Sequence, residues 1–197
     1  MTASPDLFLL AGPNGAGKTT YFEHILSPIG LDFINADRIA GLRWPDEAMV
    51  HARDAAAEAT ELRDRYIADR RSFITETVFS HPSKVDLVRD AIAAGYRVHL
   101  RVLIAPVELC VARVEQRVRE GGHDVPVERI RARHGRLWHH LAAAIGLAYE
   151  SRIYDSSGQR GRPFLEVARY HLGVPLGPPE WPSWTPPELS GRQGDRA

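Results

Sequence analysis

Cysteine is nearly absent: Cys110 stands alone in 197 residues, so no internal disulfide forms and no cysteine cluster offers a structural zinc site. Its expected role is helix packing. Charge of one sign is not in excess either, since 25 Lys and Arg balance 25 Asp and Glu. No global field recruits a nucleic-acid backbone or an anionic membrane, and any basic site has to be local. Long apolar runs are missing as well. The opening MTASPDLFLL has no basic flank and too few consecutive apolar residues for a signal peptide or a membrane span, which makes the cytoplasm the expected location.

What is present is ordinary for one soluble globular domain: 44% apolar and 25% charged residues. Short apolar runs alternate with longer segments of helical period, which predicts an α/β fold with a mainly parallel sheet covered by helices. Strands are expected at Leu7–Leu10, Asp32–Asn35, Ser72–Thr77 and Tyr96–Ala105, where Val98, Leu100, Val102 and Ile104 alternate with His99, Arg101 and Leu103. Helices are expected after the first glycine loop to about Leu26, from Asp46 to about Arg70, after Pro82, from Val107 to Glu120 and after Pro126. The Asp46–Arg70 stripe of Ala48, Ala52, Ala55, Ala59, Leu62 and Tyr66 implies close packing, and Val107, Val111, Val114 and Val118 are the expected inward residues of the later helix. A late strand and turn fall within Tyr149–Gly158, and RPFLEVARYHL reads as a last strand in preference to a short helix. The domain is expected to span 1–172. The proline-rich segment 173–197 reads as a tail, partly extended and partly disordered, on which Trp181 and Trp184 have the option of docking.

The most specific motif is Gly12-Pro13-Asn14-Gly15-Ala16-Gly17-Lys18-Thr19, followed by Thr20. It fits G-x-x-x-x-G-K-[ST] between a strand and a helix, the context that gives the pattern its meaning. Glycines let successive backbone N–H groups turn inward around phosphate oxygens, and the helix start adds its unpaired donors and the positive end of its dipole. A nucleoside triphosphate is the implied ligand. Lys18 is placed to reach the β- and γ-phosphates and Thr19 to ligate Mg²⁺.

Acid–base and charge-neutralising groups are sought at the carboxyl ends of the neighbouring strands. Asp37, in Asn35-Ala36-Asp37-Arg38, reads as the base that takes a proton from an attacking hydroxyl, or else as a helix cap or turn residue. Glu76 reads as a holder of a Mg²⁺-bound water or a substrate hydroxyl, or as a rim residue paired with an arginine. Arg38 and, more weakly, Thr77 and Ser80 are candidates for substrate contact. Arg113 and Arg117, one helical turn apart and close to GGHDVP, suggest a lid over about 113–133, with Arg133 returning from its far side. The alternative is solvation, or pairing with Glu115 and Glu120. His123, His139 and His140 have no partners at metal-ligand spacing and receive no chemistry. Asp155-Ser156-Ser157-Gly158 reads as a turn or as a loop beside the adenine.

AGPNGAGKTT, FINADRIA, FITETVFS, AGYRVHLRVLIAPVELCVARVEQRV, EGGHDVPVERIRARHGRLWHHL and YDSSG, in that order, resemble the zeta-toxin family of P-loop kinases in compact form, over most of Leu7–Gly158. The resemblance implies a nucleotide-kinase-like three-layer fold and ATP-dependent phosphorylation of a hydroxyl. It implies ATP and Mg²⁺ contacts for Lys18 and Thr19, the base role for Asp37, substrate contact for Glu76, and phosphate contacts for Arg117 and Arg133, with Arg113 a weaker match. It also implies UDP-N-acetylglucosamine as the first candidate acceptor and an antitoxin as a partner. The chain leaves little room for the extra helical elements around the sugar-nucleotide pocket of that family. Two other readings stand beside it: a kinase acting on another metabolite or a nucleic-acid end, and a nucleotide-dependent binding module without transfer.

Overall fold

In the computed structural model, which describes residues 4–122, 124–158 and 162–191, strand β1 (Asp6–Ala11) lies between β3 (Phe73–Thr77) and β4 (Arg97–Ile104), parallel to both. Adding β2 (Asp32–Ile34), β5 (Glu150–Asp155), β6 (Leu165–His171) and β7 (Val174–Pro175) gives a seven-stranded sheet of order β2-β3-β1-β4-β5-β6-β7. The first five strands in that order are parallel, and β6 and β7 are antiparallel additions at one edge. All five parallel strands therefore end on the same side of the molecule. That is where the loops after β1, β2, β3 and β5 meet.

One face of the sheet carries the main core. Leu7, Leu9, Val98, Leu100, Val102, Ile104 and Ile153 pack against α3 (Ala52–Ala68), α4 (Ser83–Ala93) and α6 (Val127–Leu147) through Ala59, Tyr66, Val88, Leu137, Leu141 and Ala144. On the opposite face Leu10, Ile74 and Leu103 meet Tyr21, Phe22 and Leu26, from α1 (Lys18–Tyr21) and the π-wound segment that continues it to Leu26. The period-two alternation of β4 divides its side chains between the two faces as expected. Cys110 is fully buried within α5 (Val107–Arg119) beside Val111 and Val114, which is the packing role expected of it. Val118, expected inward, is 36% exposed.

The chain between β2 and β3 departs from expectation. Two helices, α2 (Ala36–Arg43) and α3, are separated by turns, so the helix expected from Asp46 begins at Ala52. Asn35 starts α2 by accepting a hydrogen bond from the Arg38 N–H at 2.9 Å. Pro45 lies in the connection, where its ring disfavours helical geometry at Trp44, and the Trp44 ring stacks on His51. The proline-rich segment is also not loose up to Gly191. After the β6–β7 hairpin, Trp181, Trp184 and Leu189 of α7 (Pro187–Ser190) pack against the main core, so hydrophobic burial overrides the composition.

Candidate active site

The first turn of α1 and its loop are built by glycines that no other residue replaces. Gly12 has a φ of 148° and Gly15 one of 78°. A Cβ on Gly12 would overlap the Leu103 carbonyl oxygen, and one on Gly15 would overlap that of Cys110. The loop is thereby pressed against β4 and α5. Gly17 starts α1 with no side-chain cap, so the N–H groups of the first turn are left to other acceptors. The Lys18 ammonium, almost fully buried, donates to the carbonyls of Gly12 and Pro13 at 3.0 Å each.

Around this loop opens a cavity of about 1040 Å³. Asn14, Gly15, Ala16, Gly17, Lys18, Thr19 and Thr20 form its floor; Gly12 and Pro13 lie behind it and hold Lys18 in place. Glu76 and Thr77 enter from the end of β3. Glu76 stands 3.6 Å from the Lys18 ammonium and accepts a hydrogen bond from the Asn35 amide at 3.2 Å, which ties the ends of β1, β2 and β3 together. Because Asn35 takes the capping position of α2, Asp37 two residues further is released to the cavity wall. Among the described residues its carboxylate has no hydrogen bond or ion pair.

The arginines arrive from two helices. Arg113 donates to the Ser156 carbonyl at 2.9 Å and to that of Gly15 at 3.4 Å, bracing the phosphate-type loop against the turn after β5. That turn is closed by Asp155, which accepts the Ser157 N–H at 2.8 Å, so Asp155–Gly158 is a turn whose Ser156 also lines the cavity. Arg133 reaches from α6 to the Asn14 side-chain oxygen at 3.3 Å. Burial and the guanidiniums of Arg129 and Arg136 disfavour its charge, while Asp37 favours it. Arg117 lines the cavity beneath Gly122, whose N–H bonds to the Arg117 carbonyl. Burial pushes the Cys110 thiol up to about 11, against the pull of Lys18 and Arg113, which keeps it an unreactive packing group.

Arg38 is not on the cavity wall. Its guanidinium lies over the rings of Phe33 and Phe22 on the other side of α2, at 5.6 and 5.9 Å, where cation–π attraction holds it. Ser80 does line the cavity, in a loop fixed by the fully buried Phe79, which adopts a left-handed φ of 66°. His123 lies outside the described residues. No group of three or more His, Cys, Asp or Glu among the described residues is arranged to hold a metal ion.

The sequence of the AAA domain family, described as AAA domain, matches residues 7–138. This chain belongs to that family. The AAA domain match runs from the first residues of β1 to the middle of α6 and so includes the loop, Asp37, Glu76 and all three arginines. An uncharacterized protein of Haemophilus influenzae is 29% identical over 124 residues, which cover 62% of this chain and 88% of that protein. Among solved structures, the AvrRxo1-ORF1:AvrRxo1-ORF2 complex with sulphate ions is similar with a TM-score of 0.68 at 17% identity, over 88% of this chain and 60% of the other. The PezAT toxin-antitoxin system of Streptococcus pneumoniae is similar with a TM-score of 0.59 at 17% identity, over 85% and 72%. This AAA domain thus has the α/β P-loop NTPase fold, and it spans about 60% of the AvrRxo1 chain it matches. No helix among the described residues is long and apolar enough to cross a membrane.

Sequence reasoning missed part of the cavity lining: Thr60 and Arg63 of α3, Lys84 of α4 and Arg129 of α6. No local motif marks them. The only signal was helical phase, which puts Ala52, Ala56, Ala59, Thr60 and Arg63 along one side of α3. The small residues there leave room for the cavity as well as allowing close packing.

Proposed function

We propose that the protein is an ATP-dependent kinase that transfers the γ-phosphoryl group to a hydroxyl of a small molecule. The observation that carries this reading is the placement of Asp37, with no hydrogen bond or ion pair among the described residues, on the wall of the same cavity whose floor is the Lys18 loop. A hydrolase switch needs only a water-positioning group, whereas a cavity of about 1040 Å³ has space for a nucleotide and an acceptor together.

In the reaction so assigned, the acceptor oxygen attacks the γ-phosphorus, a new O–P bond forms, and the bond to the β,γ-bridging oxygen breaks as ADP departs. Asp37 takes the hydroxyl proton, a contribution of about 10²–10⁴-fold in rate. Lys18, Arg117 and Arg133 offset charge on the phosphates, and Arg113 holds the loop in shape. The oxygen groups at hand, the Thr19 hydroxyl and the Glu76 carboxylate, suit a Mg²⁺ ion that keeps most of its ligands from phosphate and water. Bound there, Mg²⁺ would supply charge neutralisation at the β- and γ-oxygens.

UDP-N-acetylglucosamine is the first acceptor to try, supported by the zeta-toxin resemblance and by the fold likeness to the PezAT system, which also supports looking for an antitoxin partner. The test is ADP release with Mg²⁺-ATP, with and without the sugar nucleotide, for wild type and Asp37→Asn, with mass spectrometry of the products. Stimulation and a phosphorylated product in wild type alone sustain the reading. Equal turnover in Asp37→Asn removes Asp37 from the base role.

A further inference from the structure

We infer that the wall of the cavity formed by Arg63 and Lys84 binds an anionic group of the acceptor, a phosphate or a carboxylate, and so selects a negatively charged hydroxyl compound. The inference rests on the kinase reading for the word acceptor, and on the following observations for the site.

Arg63 comes from the middle of α3 and Lys84 from the first turn of α4, and both line the cavity that holds Asp37. Both are partly buried. Arg63 donates to the Thr60 hydroxyl at 2.7 Å, and neither cation makes an ion pair with a carboxylate among the described residues. Away from the cavity, Arg97, Arg101, Arg131, Arg152 and Arg169 each have a carboxylate partner.

The cost of this arrangement is visible in three ways. Burial disfavours the charge on Arg63, relieved by Asp64; burial and the charge of Arg63 disfavour that on Lys84. Lys84 also sits at the positive end of the α4 dipole, where an acidic residue is the favoured choice. Two like charges, partly desolvated and facing one cavity, are destabilising for folding alone. An anion between them offsets the like-charge repulsion and the dipole term and gives both buried cations a partner.

The position gives the chemistry its sense. Asp37 and Glu76 occupy the wall next to the loop, so they repel an anion there and leave the negative part of an acceptor to the α3–α4 side. Ala52, Ala56 and Ala59 line the cavity from α3 as well, a smooth apolar wall suited to a sugar or short carbon skeleton.

The test uses the full chain, wild type and the variants Arg63→Gln, Lys84→Gln and Lys84→Arg, with thermal melts to establish that each is folded. With the loop saturated by Mg²⁺ and the non-hydrolysable analogue AMP-PNP, binding of inorganic phosphate and of acetate is measured by calorimetry. Saturable binding that weakens at least tenfold in both Gln variants and returns in Lys84→Arg supports the site, and the preferred probe tells phosphate from carboxylate. Transfer is measured in parallel to N-acetylglucosamine, its 1-phosphate, UDP-N-acetylglucosamine and glucuronate. The expected result is a tenfold or larger rise in KM for the charged acceptor in the Gln variants, with KM for ATP within twofold of wild type. Turnover of the neutral sugar as well as its charged forms, or no anion binding to the loaded protein, overturns the inference and leaves the kinase reading standing. Anion binding at Arg63 and Lys84 without transfer to any acceptor does the opposite.

Discussion

The Lys18 ammonium lies 3.6 Å from the Glu76 carboxylate, although 58 positions separate them in the chain. The contact is possible because β1 and β3 are parallel neighbours whose ends fall level, Ala11 opposite Thr77. It sets a pairing that a triphosphate has to share. Lys18→Met keeps the volume and removes the charge; it is expected to abolish the thermal shift given by Mg²⁺-ATP and to lower turnover at least about 100-fold. A variant that still melts higher with ATP would take Lys18 out of phosphate binding.

Gly15→Ala tests whether the loop is as tightly seated on α5 as the geometry requires. The added methyl runs into the Cys110 carbonyl at a backbone angle that disfavours any side chain. The expected cost is roughly 2–3 kcal/mol of stability together with loss of ATP affinity. Gly158→Ala is the control: it has a similar φ of 78° with nothing near a Cβ among the described residues, so it should show the strain of that angle without the clash and keep ATP binding.

Far from the cavity, Glu150 sets an acid limit on stability. Burial works against its charge, but Arg152 and Arg101 hold it down to about 2 from an ordinary 4.5. Since the folded value is the lower one, the contribution is complete above about pH 4.5 and is lost as pH falls towards 2. Solvent screening leaves roughly 1–2 kcal/mol of it. Glu150→Gln should be less stable than wild type at pH 7 by about that amount, and the two denaturation curves should converge between pH 4.5 and 2. Parallel curves across that window would show that the carboxylate is not coupled to folding.

The proline-rich segment gives a prediction opposite to that of a dispensable tail. Leu189 is buried in the main core, against which Trp181 and Trp184 also pack. Leu189→Ala is expected to cost roughly 2 kcal/mol, and a chain ending at Leu172 to melt lower still, each followed by tryptophan fluorescence. Unchanged melting would mean that these residues only lie on the surface.

The loop Gly12–Thr19 could be read from the sequence because it is a local object: strand, glycine angles and helix start follow one another directly, and backbone geometry decides the rest. Lys18, Thr19 and the Cys110 packing role belong to the same kind of statement, as does the alternation along β4. Asp37 was legible only as a choice between base and cap. The structure places Asn35 in the cap and Asp37 on the cavity wall.

Other features depended on which way a helix was rolled against the sheet. Arg38 and Asp37 are consecutive, yet one lies over two phenylalanine rings and the other lines the cavity. The bend at Pro45, the folding back of Trp181 and Trp184, and the meeting of Arg63 with Lys84 were likewise decided in three dimensions. The physical reason is common to them. Propensity and motif act over a few residues, whereas the direction of a side chain on a packed helix, and the partners it lacks, are set by burial of the remaining faces against distant parts of the chain. The sequence by itself determined a P-loop at the end of a central strand; tertiary packing decided what else the cavity holds.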